Sequence, residues 1–151
     1  MTAFTPNARN HGNLGEHASR FVAVDALPWE RTRFAGIEAK TLLLDKESGL
    51  VTVLLKMATG ARLPDHEHVR IEQTYVLEGR LVDDEGETTA GNFVWRPAGS
   101  RHSAHTPEGG LMLAMFLAPN RFYDRPGAVI DMLGADWDQS WGHTQRTREP
   151  V

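Results

Sequence analysis

The chain is predicted to be a single all-β domain of closed-barrel or sandwich type, and three observations carry that expectation. Short apolar segments recur between turn signals from Gly36 to Ala118. No amphipathic stretch of helix length interrupts them. The 151 residues, 40% of them hydrophobic and none of them cysteine, suit one hydrophobic core built without disulfides.

In chain order, residues 1–30 form a polar N-terminal arm whose Pro, Asn and Gly follow no sustained period, so it is expected to be mobile or ordered only by a neighbour. A barrel over 31–125 follows. IEAKTLLLD and LVTVLLKMA flank Glu47-Ser48-Gly49 as a hairpin, and Thr59-Gly60 closes the second strand. IEQTYVLEGRLVDD, ETTAGNFVWRP, RHSAHT and LMLAMFLA continue the rhythm between Glu85-Gly86, Ala98-Gly99 and Glu108-Gly109-Gly110. After Pro119 the character changes, and 126–151 is expected as a short C-terminal extension. There AVIDML and ADWDQSW are a short strand or helical turns, with Trp137 and Trp141 on one helix face covering the barrel or a subunit contact.

Charge excludes some partners. With 16 Lys+Arg against 20 Asp+Glu the net charge is −4, and no basic stripe interleaves with aromatics, so no nucleic acid is expected. The longest apolar run, Leu111 to Ala118, is far short of the ~20 residues of a spanning helix. The first twenty residues lack the basic start and apolar stretch of a signal peptide. A cytoplasmic protein without a membrane partner is the expectation.

The chemistry concentrates between Gly60 and Gly79 and between Gly91 and His102. His66 and His68 are two apart and Glu72 is four further on. Side chains an even number apart on a strand share a face, so two imidazoles and a carboxylate can converge inside a barrel. His102 follows a Pro97-x-Gly99 turn that can return the chain to the same depth. Imidazoles with a carboxylate suit Fe(II), Mn(II), Ni(II), Zn(II) or Co(II). Four such ligands leave two positions open on a six-coordinate ion.

The pattern G-x5-H-x-H-x3-E-x6-G followed by G-x5-P-x-G-x2-H resembles the two motifs of the cupin superfamily. The resemblance implies a single-domain RmlC-like jelly-roll barrel, with His66, His68, Glu72 and His102 as metal ligands. It makes Gly60, Gly79, Gly91, Pro97 and Gly99 turn residues. The position where the second motif often ends in Asn is Thr106 here. EQTYVLEG, AGNFVWRPAGSRHS and FLAPNRFYD followed by W-x3-W are similar to the ChrR-type cupins, whose relatives include acetylacetone- and dihydroxyacetophenone-cleaving dioxygenases. That resemblance implies one divalent metal per chain, Fe(II) in first place with Zn, Ni or Mn as alternatives, a small-molecule substrate, and a homodimer or higher oligomer. Its activity would be dioxygen-dependent cleavage of a dicarbonyl or hydroxyketone. The alternative is a redox-silent cupin acting as ligand sensor, isomerase or hydrolase. Residues 1–30 contain no Cys, so the His/Cys zinc module that binds sigma factor in the anti-sigma relatives is not expected. Glu72 separates the chain from the acetylacetone-cleaving relatives, which use three His ligands.

Among neighbouring residues, Arg70 shares the parity of His68 and Glu72. On an unbroken strand it would point to the metal pocket and hold a substrate carboxylate; on a bend it would sit in solvent. His105, at opposite parity to His102, is expected at the rim, and Tyr75 is not expected to be catalytic. Asp65 and Glu67 are expected as exposed charges. Phe93, Trp95, Met112, Met115 and Phe116 are expected to form barrel wall and core, some of them lining the pocket. His11, His17 and His143 are assigned no role.

Overall fold

The computed structural model describes residues 3–118, 120–125 and 128–131. A 3-10 turn at Val24–Ala26 precedes eleven strands among the described residues: β1 (Glu30–Arg31), β2 (Ile37–Asp45), β3 (Leu50–Met57), β4 (Arg62–Glu67), β5 (Glu72–Val82), β6 (Glu87–Thr89), β7 (Phe93–Arg96), β8 (Arg101–His105), β9 (Gly110–Phe116), β10 (Arg121–Arg125) and β11 (Ala128–Asp131).

The alternation seen in the sequence becomes the two faces of the sheet. On β3, Val51, Val53, Leu55 and Met57 are buried, whereas Leu50, Thr52, Leu54 and Lys56 are more accessible. On β9, Met112, Ala114 and Phe116 are buried in step with them. The strands form one antiparallel sheet in the order β1-β2-β3-β9-β5-β8-β4-β10-β11, with β6 and β7 also pairing β5. The long β5 makes the sheet curl. Its first half lies between β7 and β9, from Glu72↔Phe116 onward, and its end leaves them for β6 and β8 at Val82↔His105. A register shift between Val76 and Glu78 precedes the departure, β9 remaining paired as far as Gly79↔Gly110, as a bulge bends a strand and increases its twist. The core lies inside the curl, where Val53, Leu55, Val76, Met112 and Phe116 meet Leu81, Ala104 and Phe122. This is the jelly-roll architecture expected from the sequence.

Turn chemistry holds the curl closed. Gly79 has φ 72°, and a Cβ placed on it would come within 2.0 Å of the Gly109 carbonyl oxygen. Only glycine allows that approach.

The N-terminal arm lies against the outer edge of β2. Phe4 forms an isolated bridge with Leu44, the Thr5 hydroxyl donates to the Leu42 carbonyl at 2.7 Å, and Lys40 Nζ donates to the Val24 carbonyl at 2.8 Å. Glu30, the last residue assigned to the arm, already belongs to β1. In the C-terminal extension, Ala128–Asp131 is a strand. The rest of that expectation, including Trp137, Trp141 and His143, lies outside the described residues.

One expectation is corrected. Phe93 and Trp95 are not barrel interior: they are 48% and 55% exposed. Registers Gln73↔Trp95 and Tyr75↔Phe93 put them on the outer face, because Glu72↔Arg96 and Thr74↔Val94 occupy the inner one. Arg96 is therefore the buried residue of β7. Met112 and Phe116 are core as expected, while Met115 is half-buried at the outer parity.

Candidate metal centre

His66 is the penultimate residue of β4, and its register partner on β8 is His102. His68 follows directly after β4 and is locked to the second motif by its backbone. The Gly99 amide donates to the His68 carbonyl at 2.7 Å and the His68 amide to the Ser100 carbonyl at 2.9 Å. Pro97 to Ser100 forms a turn closed by the Ser100 amide, with Gly99 at φ 87°, a conformation that favours glycine. The two sequence motifs thus meet through main-chain bonds, and those bonds fix the depth of His68 relative to His102.

The ring nitrogens of His66, His68 and His102 that face a common point lie within 4.8 Å of one another. His66 and His68 are 2% and 0% exposed. Each ring has its Nδ1 committed to an acceptor. His66 Nδ1–H donates to the Pro64 carbonyl at 2.7 Å, and His102 Nδ1–H donates to Asp83 Oδ2 at 2.8 Å. His68 Nδ1–H is shared between Asn120 Oδ1 and Glu72 Oε2, each at 3.1 Å. A carbonyl or carboxylate oxygen only accepts, so the proton of a neutral ring sits on Nδ1 and its Nε2 carries the lone pair.

The Nε2 atoms of His68 and His102 face each other at 3.0 Å. Either a proton shared between the two nitrogens or a metal cation beside both relieves this contact. The separation equals that of two nitrogens each about 2.1 Å from one ion and at right angles to each other. The donor set therefore fits a divalent metal. Burial, reinforced by the neighbouring His68 and opposed by the Pro64 carbonyl, lowers the His66 pKa to about 4. Burial and the Arg96 charge also lower that of His102. Both rings are neutral at pH 7, the form that binds a metal.

Glu72, the first residue of β5, sits beside this group. Burial alone would raise its pKa, but the His68 and His66 imidazoles and the Asn120 amide hold it at about 2. Its Oε2 also accepts from Asn120 Nδ2 at 3.1 Å, and its Oε1 from the Thr74 hydroxyl at 3.2 Å. The carboxylate faces His68 Nδ1 and does not join the three-nitrogen group.

The cavity beside this group is about 30 Å³ and is lined by Leu55, Leu63, Leu81, Ala104, Phe116 and Phe122 together with His66, Glu72, Arg96, His102 and Asn120. That volume holds an ion with about one or two waters. The Phe122 ring stands 5.1 Å from that of His66.

Arg70 is not among the lining residues. The chain bends at Val69–Arg70, between β4 and β5, and Arg70 is exposed there, so parity counted along an unbroken strand does not carry across. His105 lies outside the imidazole group, paired in register with Arg62 and Val82. The Asp65 side chain is exposed as expected and accepts from Arg101 Nε at 3.0 Å, while the half-buried Glu67 accepts from the Tyr123 hydroxyl at 3.0 Å. The sequence reasoning missed Asp83, Arg96 and Asn120. Of these only Arg96 had a signal: alternation along β7 with its two aromatics facing outward.

A family model described as the ChrR cupin-like domain matches residues 17–121. The chain belongs to the ChrR cupin-like family. No curated protein sequence matches the chain. Similar solved structures include an acetylacetone dioxygenase from Acinetobacter johnsonii, 20% identical with a TM-score of 0.71 over 85% of this chain and 95% of that one. An RmlC-like cupin from Shewanella frigidimarina is 24% identical, with a TM-score of 0.58 over 68% and 93%. The ChrR anti-sigma protein of Rhodobacter sphaeroides, solved in complex with SigE, is 24% identical with a TM-score of 0.54 over 62% and 51%. At these identities the likeness establishes the cupin fold. No helix among the described residues is long and apolar enough to cross a membrane.

Proposed function

We propose that this ChrR-type cupin is a mononuclear Fe(II)-dependent dioxygenase that cleaves a small dicarbonyl or hydroxyketone. The observation that carries the metal assignment is the commitment of all three Nδ1 atoms, which leaves the Nε2 side of each ring as the metal donor in a cluster whose ligand atoms lie within 4.8 Å of one another. His66, His68 and His102 hold the ion, and Glu72 turns in as fourth ligand. Asn120 makes that turn inexpensive, because its Oδ1 still accepts the His68 proton after Glu72 leaves.

Iron(II) bound there supplies Lewis-acid polarisation of two substrate oxygens and electrons for dioxygen. The protein's part is positioning and exclusion. Asp83, Asn120 and the Pro64 carbonyl keep the imidazoles in the metal-binding tautomer. Leu55, Leu63, Phe116 and Phe122 keep bulk water away from the reacting oxygens. Membership of a family whose structural relatives include an acetylacetone dioxygenase supports the reaction class as an analogy of fold.

A second reading, a redox-silent zinc or nickel cupin that senses or isomerises a ligand, is favoured by the donor set itself, which takes those ions equally well. Elemental analysis of protein purified anaerobically without chelators, followed by dioxygen uptake with diketones, hydroxyketones and phenolic ketones, separates the two. Near-stoichiometric iron with substrate-dependent uptake supports the oxygenase. Turnover or ligand-induced stabilisation with zinc, and no uptake with iron, overturns it.

The proposed assembly is a homodimer. Tyr75, Leu77, Phe93 and Trp95 form an exposed apolar surface on the outer face of β5 and β7, the kind of patch that marks an interface. Light scattering of the wild type and of Trp95→Glu tests this: a wild-type dimer that dissociates in the variant supports it, and a wild-type monomer refutes it.

A further inference from the structure

Arg96 and Glu72 are register partners on β7 and β5 and line the same cavity, yet each pairs elsewhere. Glu72 turns to His68. Arg96 Nη2 lies 2.6 Å from Asp83 Oδ2, the same oxygen that accepts the His102 Nδ1 proton at 2.8 Å. The Asp83 side chain is 2% exposed and that of Arg96 10%. Asp83 Oδ1 is occupied as well, accepting the Glu85 and Gly86 amides of the β5–β6 turn at 2.8 and 3.1 Å. The carboxylate is thus held at both oxygens, by a turn on one side and by a guanidinium and an imidazole on the other. The remaining ion pair of Arg96, to the 80% exposed Glu85 at 3.7 Å, is loose by comparison.

We propose that Arg96 is a positioning residue for the metal ligand His102, acting through Asp83. This rests on the metal assignment above. A carboxylate that orients a ligating imidazole is effective only while its own direction is fixed. The amides fix Asp83 Oδ1, but they leave the carboxylate free to rotate about the axis that carries Oδ2. The guanidinium closes that freedom, because Oδ2 must serve Arg96 and His102 together. Without it Oδ2 can leave the ring, and the His102 imidazole loses the restraint that keeps its Nε2 3.0 Å from that of His68.

The test is the Zn(II) affinity of the metal-stripped protein at fixed pH, measured by competition with a chromophoric chelator for the wild type, Arg96→Gln, Arg96→Lys, Asp83→Asn and the Arg96→Gln/Asp83→Asn double variant. Thermal unfolding of each apoprotein is followed in parallel. Arg96→Gln and Asp83→Asn are each expected to weaken Zn(II) binding about 10- to 100-fold. The double variant is expected to bind no more weakly than Asp83→Asn alone, since the guanidinium acts only through that carboxylate. A purely structural role for Arg96 would lower the apoprotein melting temperature and add its loss to that of Asp83→Asn.

Arg96→Lys, which keeps the cation but reaches Asp83 through a single nitrogen, is expected to fall between wild type and Arg96→Gln, and it reads the same link if the glutamine variant does not fold. Wild-type affinity in both Arg96 variants, or additive losses in the double variant, overturns the proposal. A wild type that binds no Zn(II) sinks the metal assignment instead, so the two failures are distinct.

Discussion

His68 and His102 present their Nε2 atoms to each other at 3.0 Å while their Nδ1 atoms are bound to Asn120 and Asp83. His102 lies on β8 and His68 directly after β4, and main-chain bonds between His68 and the Pro97–Ser100 turn hold the two segments together. The 3.0 Å separation is that of two nitrogens bound at right angles to one metal ion.

The wild type is therefore expected to bind one divalent ion per chain, and His66→Ala and His102→Ala to lose it. Thermal unfolding with Zn(II) at about 100 times its dissociation constant should show roughly 3 kcal/mol of stabilisation in the wild type. Little of this should remain in either variant. Equal metal content in wild type and variants would refute the assignment.

The apoprotein should lose stability on mild acidification. His66 has a pKa of about 4 when folded against 6.5 for a free imidazole. Between those values the unfolded chain binds a proton that the folded one refuses, so stability is full above pH 6.5 and falls as pH drops toward 4. The shift corresponds to about 3 kcal/mol. Below pH 4.5 Glu72 acts in the same direction, since its folded pKa is about 2. Urea unfolding of metal-free protein at pH 7, 5.5 and 4.5 checks this, with His66→Gln expected to flatten the upper part of the profile. A profile equally steep in that variant would count against His66.

Thr106→Val should stabilise the protein. Thr106 is 0% exposed and its Oγ1 has no hydrogen-bond partner among the described residues, so the native fold bears the cost of a desolvated hydroxyl. Removing it without changing shape is expected to return about 1 kcal/mol, or roughly 3 °C in melting temperature. A fall of similar size would mean that the hydroxyl is satisfied in solution.

Gly79 and Gly91 should separate close approach from backbone strain. Both have positive φ, 72° and 84°, but a Cβ at Gly91 meets nothing within 4 Å whereas one at Gly79 strikes the Gly109 carbonyl. Gly91→Ala is expected to cost about 1 kcal/mol, and Gly79→Ala at least about 3 kcal/mol or the fold itself. Melting temperatures of the two variants decide it, and equal losses would remove the steric argument.

What the sequence by itself determined was local. Alternation along β3 and β9 marked the core face, glycines marked the turns, and His66, His68, Glu72 and His102 carried the spacing of a metal site, because period and turn chemistry are properties of neighbouring residues. The tertiary structure decided everything that depends on which strands meet. The bend at Val69–Arg70 put Arg70 in solvent, and the pairing of β7 with β5 sent Trp95 outward and Arg96 inward, although apolar character argued the reverse. Asp83, Asn120 and the Pro64 carbonyl set the orientation and tautomer of the three imidazoles. Asp83 and Asn120 come from other segments, and an acceptor for a ring nitrogen is chosen by distance in space, which spacing along the chain does not encode.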